Sequence, residues 1–257
     1  MTTSDTNSDN ILLADTRNRV LTLTLNRPHK RNALSVALRT ALFSALAAAE
    51  SDDEVDVVVL TGVDPVFCAG LDLNELGGAD QLQYIAPQWP PLSKPVIGAI
   101  NGAAVTGGLE LALYCDILIA SERASFADTH ARVGLVPTWG LSVRLPQKVG
   151  VGMARRMSLT GDYLPAAEAL RAGLVTEVAP HDQLLEVARR VADAIVNNNQ
   201  AAVRTLLDLY HRIDATQVDA GLWTEAQYAQ QWVRTAAGND IAANREAVRR
   251  RGAAQLA

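Results

Sequence analysis

Residues 94–112 read KPVIGAINGAAVTGGLELA, and this segment combines three structural signals. The apolar run from Pro95 to Ile100 predicts a buried strand. Asn101-Gly102 is typical of a turn, and Gly107-Gly108 marks the start of a helix that continues through Leu113. A strand followed by a turn and a helix is the unit from which α/β folds are built.

The same alternation extends to both sides of this segment. Short apolar or alternating runs predict strands, and runs rich in Ala and Leu with one apolar stripe predict helices. After about Val178 the strand patterns end and only helical patterns follow. The predicted strands are Arg19–Leu25, Val55–Leu60, Ile117–Ala120, Ser125–Ala127 and Leu174–Val178; the predicted helices are Ser35–Glu50, Val149–Leu159, Pro165–Ala172, Gln183–Asn197, Gln200–Ile213, Gln217–Ala237 and Ile241–Arg251.

These patterns divide the chain of 257 residues into three parts. Residues 1–10 are polar and predict a disordered N-terminus. Residues 11–198 predict an α/β core, and residues 199–257 predict an all-helical C-terminal region. The segment from Leu76 to Pro91 is polar and contains Gly77-Gly78 and several prolines, so we expect it to lie on the surface.

The composition argues against several classes of protein. Hydrophobic residues make up 49% and charged residues 20%, which is ordinary for a globular protein. A net charge of −5 offers no basic face for nucleic acid. Cys68 and Cys115 lack the spacing of a disulfide framework or a metal site. Because no targeting segment and no apolar run of about 20 residues is present, we expect a cytoplasmic protein without membrane contact.

Three common motifs are incomplete in this sequence. Residues 102–107 have the glycine spacing of a P-loop, but Gly108 stands where the phosphate-binding lysine is required. No predicted strand is followed by the glycine-rich turn of a dinucleotide fold. Residues 140–144 lack the second glycine of a nucleophile elbow. With four histidines in the chain, a zinc site has few possible ligands, and we predict no metal.

Two turns marked by glycine remain. In residues 67–73 (FCAGLDL), Gly70 permits a sharp turn and a close approach of the backbone to a ligand. Gly107 lies at a helix N-terminus, where unpaired N–H groups meet the positive end of the helix dipole. Its N–H could hold a developing oxyanion, although both glycines could equally serve close packing alone.

Glu110 lies three residues after Gly107, on the first turn of the same predicted helix, and therefore beside the same point. An acid in a first turn commonly complements the helix dipole. Between Leu109 and Leu111, on a helix that is predicted to be buried, a carboxylate needs a partner or a chemical task.

At this point the sequence resembles the crotonase (enoyl-CoA hydratase/isomerase) family over nearly its whole length. The motifs that carry the resemblance share the spacing and residue types of that family. They are Asn26-Arg27-Pro28 with Asn32-Ala33-Leu34, residues 67–73, Lys94-Pro95-Val96-Ile97, Asn101-Gly102, residues 107–112, Cys115-Asp116, Phe126, Gly134-Leu135-Val136-Pro137, Leu159-Thr160-Gly161 and Gly173-Leu174-Val175.

The resemblance implies a core of ββα turns wound into a spiral, followed by a helical trimerisation region, and a homotrimer or a homohexamer built as a dimer of trimers. It implies an oxyanion hole formed by the N–H groups of Leu71 and Gly107, with Glu110 activating water. The substrate is an acyl-CoA thioester, so coenzyme A is part of the substrate and no separate cofactor is expected.

The resemblance also implies where coenzyme A binds. Its adenine would lie against the backbone of Ala69, Asp72 and Leu73. Its phosphates would meet Lys30 or Arg31, or arginines among residues 249–251 of a neighbouring subunit.

One departure from the family pattern concerns the second catalytic glutamate, whose position is occupied by His130. A histidine can exchange protons near neutral pH, and Asp128 or water could orient it. The alternative is a packed histidine that only completes a hydrogen bond. Trp139 is expected to line the acyl pocket, although a tryptophan is also a common core residue.

These observations lead to the hypothesis of syn addition of water to a trans-2-enoyl-CoA, which gives a 3-hydroxyacyl-CoA. Glu110 would deprotonate the water, and His130 would hold that water or supply the proton at the α-carbon. The rivals are isomerisation, hydrolysis or decarboxylation through the same enolate. A non-catalytic acyl-CoA binder is a rival of another class, whereas RNA binding lacks the lysine-rich helix it would require.

Overall fold

The structure is a computed structural model that describes residues 10–72, 75, 89–90, 92–235, 250–251 and 254. Leu73, most of the segment from Leu76 to Pro91 and most of the predicted helix Ile241–Arg251 lie outside the described residues, so the predictions for them stay predictions. In the described part, strands alternate with helices and two long helices follow. The expected α/β core with a helical C-terminal region is confirmed.

The elements follow the order expected from the sequence. The strands are β1 Leu12–Arg17, β2 Val20–Leu25, β3 Val57–Gly62, β4 Val96–Ile100, β5 Ala103–Val105, β6 Ile117–Ser121, β7 Ser125–Ala127, β8 Leu164–Pro165 and β9 Glu177–Ala179. The helices are α1 Val36–Ser51, α2 Gly107–Leu113, α3 His130–Val133, α4 Leu141–Thr160, α5 Ala166–Arg171, α6 Leu184–Val196 and α7 Gln200–Thr235.

A six-stranded sheet in the order β1-β2-β3-β4-β6-β9 forms the centre of the core. Only β1 is antiparallel to its neighbour, and parallel strands must be covered on both faces. Leu21, Leu23 and Leu25 of β2 pack on one face in a core that includes the buried stripe of α1. Val20, on the opposite face, belongs to a second cluster with Leu184 of α6.

A smaller sheet in the order β5-β7-β8 places the functional residues. β5 and β7 are parallel, with Ala104 opposite Phe126, so their carboxyl ends point the same way. β5 leads directly into α2, which carries Glu110, and β7 leads into Asp128 and then α3, which begins at His130. Two neighbouring strand ends therefore bring these acidic and imidazole side chains to one place.

Several elements differ from the sequence predictions, and the short elements β8 and α3 are among those that were not predicted. β1 and β5 were not predicted, and α4 begins at Leu141 rather than Val149, with a non-helical break at Gly150 (φ 74°). The predicted helices Gln200–Ile213 and Gln217–Ala237 form the single helix α7. Residues 214–216 contain no glycine or proline, so nothing in the backbone interrupts the helix there. Among the described residues, no helix has the length and apolar character required to cross a bilayer.

Candidate active site

Two backbone turns lie against each other at the predicted oxyanion site. Gly70 has φ of +93°, which side chains rarely tolerate, and a methyl group on it would lie 2.2 Å from Thr106 Oγ1 and 3.3 Å from the Gly107 nitrogen. A methyl group on Gly107 would lie 3.3 Å from the nitrogen of Leu71, and one on Gly108 only 2.1 Å from the carbonyl oxygen of Cys68. The amides of Leu71 and Gly107 are therefore neighbours, and glycine makes their approach possible.

Among the described residues, neither of these amides has a hydrogen-bond acceptor. Leu34 and Leu71 form a bridge in which the Leu34 N–H donates to the Gly70 oxygen (2.8 Å) and the Asp72 N–H donates to the Leu34 oxygen (3.2 Å). This pattern leaves the Leu71 N–H unused, and Gly107 is the first residue of α2, whose N–H has no intrahelical acceptor. Within the described part of the chain, neither amide donates a hydrogen bond.

Glu110 lies on the first turn of α2 and is only 2% exposed. Its Oε1 accepts a hydrogen bond of 2.9 Å from the N–H of Trp139, which fixes the direction of the carboxylate. Burial raises the pKa of Glu110 to about 7, although the positive charge of His130 and the Trp139 amide act in the opposite direction. A carboxylate with this pKa can both accept and release a proton near neutral pH.

His130 connects Glu110 to a second acid. Its Nδ1 lies 2.7 Å from Oδ1 of Asp128, and its Nε2 lies 4.0 Å from Oε2 of Glu110. Burial alone lowers the pKa of His130, but the hydrogen bond with Asp128 and the charge of Glu110 outweigh it, and the pKa is raised. The two carboxylates therefore favour the imidazolium form.

Of the three side chains Asp128, His130 and Glu110, Asp128 is the one that stays ionised. Burial raises its pKa, but hydrogen bonds from His130 and Ser158 more than compensate, so the pKa is lowered and the group stays ionised. Its Oδ1 also accepts the backbone N–H of His130 at 3.1 Å. Since Asp128 occupies Nδ1, the Nε2 of His130 faces Glu110.

Comparison with known proteins identifies the family. The family model described as enoyl-CoA hydratase/isomerase matches residues 15–238. The chain belongs to the enoyl-CoA hydratase/isomerase family. A crystal structure of an enoyl-CoA hydratase from Mycobacterium avium is 73% identical with a TM-score of 0.84, covering 88% of this chain and 98% of that one.

Two curated relatives are more distant in sequence. The 2,3-dehydroadipyl-CoA hydratase of Escherichia coli K12 is 39% identical over 223 residues, which are 84% of this chain and 88% of the relative. A protein of Arabidopsis thaliana named probable enoyl-CoA hydratase 1, peroxisomal, is 40% identical over 208 residues, which are 79% of this chain and 78% of the relative. The resemblance to this family that was inferred from the sequence motifs is thus confirmed.

The residues expected to bind coenzyme A in this family lie beside the first turn. The Ala69 N–H donates to the Arg31 oxygen (3.1 Å), so the exposed residues Lys30 and Arg31 adjoin the turn. The amides of Ala69 and Asp72 both donate hydrogen bonds within the protein, and the Asp72 carbonyl oxygen accepts the Glu75 N–H (3.0 Å), so the carbonyl oxygen of Ala69 is the one left to meet an adenine. This oxygen accepts no hydrogen bond from the described chain. The Asp72 carboxylate is paired with Arg27 at 3.0 Å.

Trp139 has a backbone role that the sequence did not suggest. Its side chain was expected to line the acyl pocket and is 2% exposed within the main core cluster, with the guanidinium of Arg39 6.0 Å above its ring. Its N–H holds Glu110. The direction of the Trp139 backbone N–H depends on the course of the chain, and no sequence pattern predicts that it donates to Glu110.

A second row of polar groups lies outside this site. His181 contacts Ser121 Oγ through Nδ1 (2.9 Å) and Asp64 Oδ2 through Nε2 (3.0 Å), which resembles a serine hydrolase triad in composition. Ser121 is completely buried and its hydroxyl already accepts the N–H of Arg123. A substrate has no access to that hydroxyl, so the row ties strand ends together.

Proposed function

We propose that this family member is an enoyl-CoA hydratase that adds water to a trans-2-enoyl-CoA and forms a 3-hydroxyacyl-CoA. One observation carries the proposal: the amides of Leu71 and Gly107, neither of which donates a hydrogen bond within the described chain, adjoin each other, and Gly107 begins the helix turn that carries the buried Glu110. The relatives named as hydratases support it.

Leu71 and Gly107 serve as the oxyanion hole. Their N–H groups bind the thioester oxygen, which gains negative charge when water attacks the β-carbon and an enolate forms. Fixed donors of this kind need no reorganisation as the charge develops, and each contributes roughly 10²–10³ in rate. The acyl-CoA binds with its adenine end toward Ala69, Asp72 and Leu73 and its phosphates toward Lys30 and Arg31.

Glu110 and His130 move the protons. Glu110, as the carboxylate, takes a proton from the attacking water while the water oxygen bonds to the β-carbon. His130, as the imidazolium, gives a proton to the α-carbon of the enolate, and its Nε2 is the atom that faces the site. Transfer of one proton from Glu110 to His130 then restores the starting state. Trp139 orients Glu110 and bounds the acyl pocket.

Replacement of Glu110 by Gln tests this assignment. We expect kcat for hydration of crotonyl-CoA to fall about 10²–10⁴-fold, because Gln cannot accept the proton of water. The assay follows loss of absorbance of the conjugated thioester.

The matched control is Glu122→Gln, an exposed acid on the loop after β6, which should keep wild-type activity. Undiminished turnover by Glu110→Gln, or a wild-type protein that turns over no enoyl-CoA of any chain length, would refute the proposal.

Isomerisation is a second candidate, because His130 stands where the family has a second glutamate and one carboxylate base can move a double bond. Incubation with trans-3-enoyl-CoA distinguishes the reactions. Conjugated product that accumulates without water addition would favour isomerisation, whereas direct appearance of 3-hydroxyacyl-CoA would favour hydration.

The assembly is a homotrimer or a homohexamer in this proposal, with α7 supplying contacts between subunits. Its support is the row of exposed apolar residues on that helix: Leu206, Leu209, Tyr210 and Ile213. The cytoplasmic location stays a prediction from the sequence, and the relatives do not share one compartment, since the A. thaliana protein is named peroxisomal.

A further inference from the structure

Glu225 is a buried acid on a helix whose nearby residues are mostly exposed. Its residue surface is 8% accessible, although Trp223 and Tyr228, on the same stretch of α7, are each about two-thirds exposed. A buried carboxylate is costly unless hydrogen bonds replace the lost water. Its partners therefore indicate why this acid is turned inward.

In the described chain, the hydrogen-bond partners of Glu225 lie in the turn at the N-terminus of α4. Oε1 accepts the N–H of Gly140 at 2.6 Å, and Oε2 accepts the N–H of Ser142 at 2.9 Å and the Ser142 hydroxyl. Gly140 is the N-cap of α4, with φ of +85°, and no side chain of its own caps the helix. Glu225 thus supplies the missing cap from α7, and its negative charge meets the positive end of the α4 dipole.

The same turn also holds the proposed base. Trp139 and Gly140 are consecutive residues, and their amides donate to two different carboxylates, those of Glu110 and Glu225. A displacement of the turn would therefore move the only group in the described chain that donates a hydrogen bond to the Glu110 carboxylate. The two acids also interact through space, since the charge of Glu225 adds to the rise in the pKa of Glu110 and of His130.

We propose that Glu225 is a positioning residue for catalysis. It fixes the backbone of Trp139, Gly140 and Ser142, and the Trp139 N–H then directs the Glu110 carboxylate. The C-terminal helix is then part of the active site rather than only a cover or an assembly surface. This inference rests on the proposed role of Glu110 as the base. A purely structural Glu225 would attach α7 to the core without affecting the proton chemistry.

The test compares Glu225→Gln and Glu225→Ala with the wild-type full chain. Gln keeps the shape and one acceptor but loses the charge and the second acceptor, and Ala removes both. The matched control is Asp208→Asn, which removes one exposed negative charge from the same helix, where Asp208 pairs only with Arg212 in the described chain.

We expect kcat for crotonyl-CoA hydration to fall about tenfold in Glu225→Gln and further in Glu225→Ala, with KM within about twofold. Misplacement of a catalytic group by about 1 Å costs roughly 10²-fold in rate, which sets the upper range. The acidic limb of the kcat profile should move to lower pH in Glu225→Gln, because a nearby negative charge has been removed. Asp208→Asn should match the wild type in both respects.

Unchanged kcat in folded Glu225→Gln overturns the inference, even if the melting temperature falls. An infrared titration of the Glu110 carboxyl, assigned by its loss in Glu110→Gln, gives a readout that does not require turnover. If the wild type hydrates no enoyl-CoA, the proposed function fails. The positioning role is then judged by whether Glu225→Gln lowers the titration midpoint of Glu110.

Discussion

Glu110 is held in surroundings that oppose its ionisation. The side chain is almost completely buried, one oxygen has a single amide donor, and Asp128 and Glu225 add negative charge nearby. Among the described groups that shift its pKa, His130 is the one cation, and its Nε2 lies 4.0 Å from Oε2 of Glu110. A base with a pKa of about 7 is ionised in part at neutral pH and still holds a proton strongly enough to take one from water.

The same burial should make ionised Glu110 lower the free energy of unfolding. Its pKa is about 7 in the folded state and near 4.3 in an unfolded chain, so ionisation favours unfolding as pH rises through this window. The penalty is absent below about pH 4 and complete above about pH 8, where it reaches about 4 kcal/mol.

Glu110→Gln is therefore expected to raise the free energy of unfolding at pH 8 and to give a smaller gain, or none, at pH 4.5. Urea denaturation at both pH values measures the difference. A gain at pH 4.5 equal to that at pH 8 would contradict the titration argument.

At this scale the sequence predicted some of the site and could not predict the rest. Leu71, Gly107 and Glu110 follow from glycine turns, helix position and family motifs, and the structure brings them together. The bond from Trp139 to Glu110 and the contacts of Glu225 could not be predicted. They depend on the course of a turn and on the packing of a helix 83–85 residues further along the chain.

Among the elements, α1 has hydrogen-bonding side chains at both ends, and the one at its C-terminus is a buried lysine. Ser35 caps its N-terminus by accepting the N–H of Leu38 at 3.1 Å. At the other end, Lys94, only 1% exposed, donates from Nζ to the carbonyl oxygens of Ala49 (2.5 Å) and Asp52 (2.6 Å). The lysine thus adds a charged donor to two carbonyl groups at the end of α1, which also accept the backbone N–H groups of Asp52 (3.4 Å) and Val55 (3.1 Å).

Lys94→Met should destabilise the fold by about 2–4 kcal/mol, because the buried carbonyl of Ala49 and the half-buried carbonyl of Asp52 lose a charged donor while the apolar stem is kept. Chemical denaturation measures the change, and Lys148→Met, at an exposed position of α4, is the control. A loss below about 0.5 kcal/mol would show that water replaces the ammonium group.

Most elements could be predicted because their periodicity is strong. The stripe of Leu38, Leu42 and Leu46 and the apolar run of β3 leave little choice of structure. β1 was missed because its outer half is polar and exposed and its pairing depends on a tight turn at Asn18-Arg19, where both residues have positive φ. β5 is a run of Ala-Ala-Val with no alternation of polar and apolar residues, and its structure comes from pairing with β7.

At the scale of the whole molecule, α7 presents an apolar row to solvent in the single chain. Leu206, Leu209, Tyr210 and Ile213 have the spacing of one helix face, and each is more than half exposed. Such a contiguous apolar face is typical of a protein–protein contact. A trimer or hexamer would cover it.

The double variant Leu209→Glu/Ile213→Glu is therefore expected to shift the assembly toward a monomer, since charges in an apolar interface lose their water without gaining partners. Light scattering during size exclusion measures the mass. Leu159→Glu, a strongly exposed apolar residue on α4, is the control. A double variant with unchanged mass would place the subunit contact elsewhere.

The back-to-back glycine turns also restrict how this protein can evolve. Any side chain at position 70 or 108 collides with backbone or with Thr106, whereas the amide of residue 71 is offered whichever side chain that residue carries. Mutation can therefore exchange acids and bases around the thioester while enolate stabilisation is inherited intact. The resemblance implies that histidine at position 130 is one such exchange, and laboratory selection for new reactions on acyl-CoA would start from a backbone that already offers both amides.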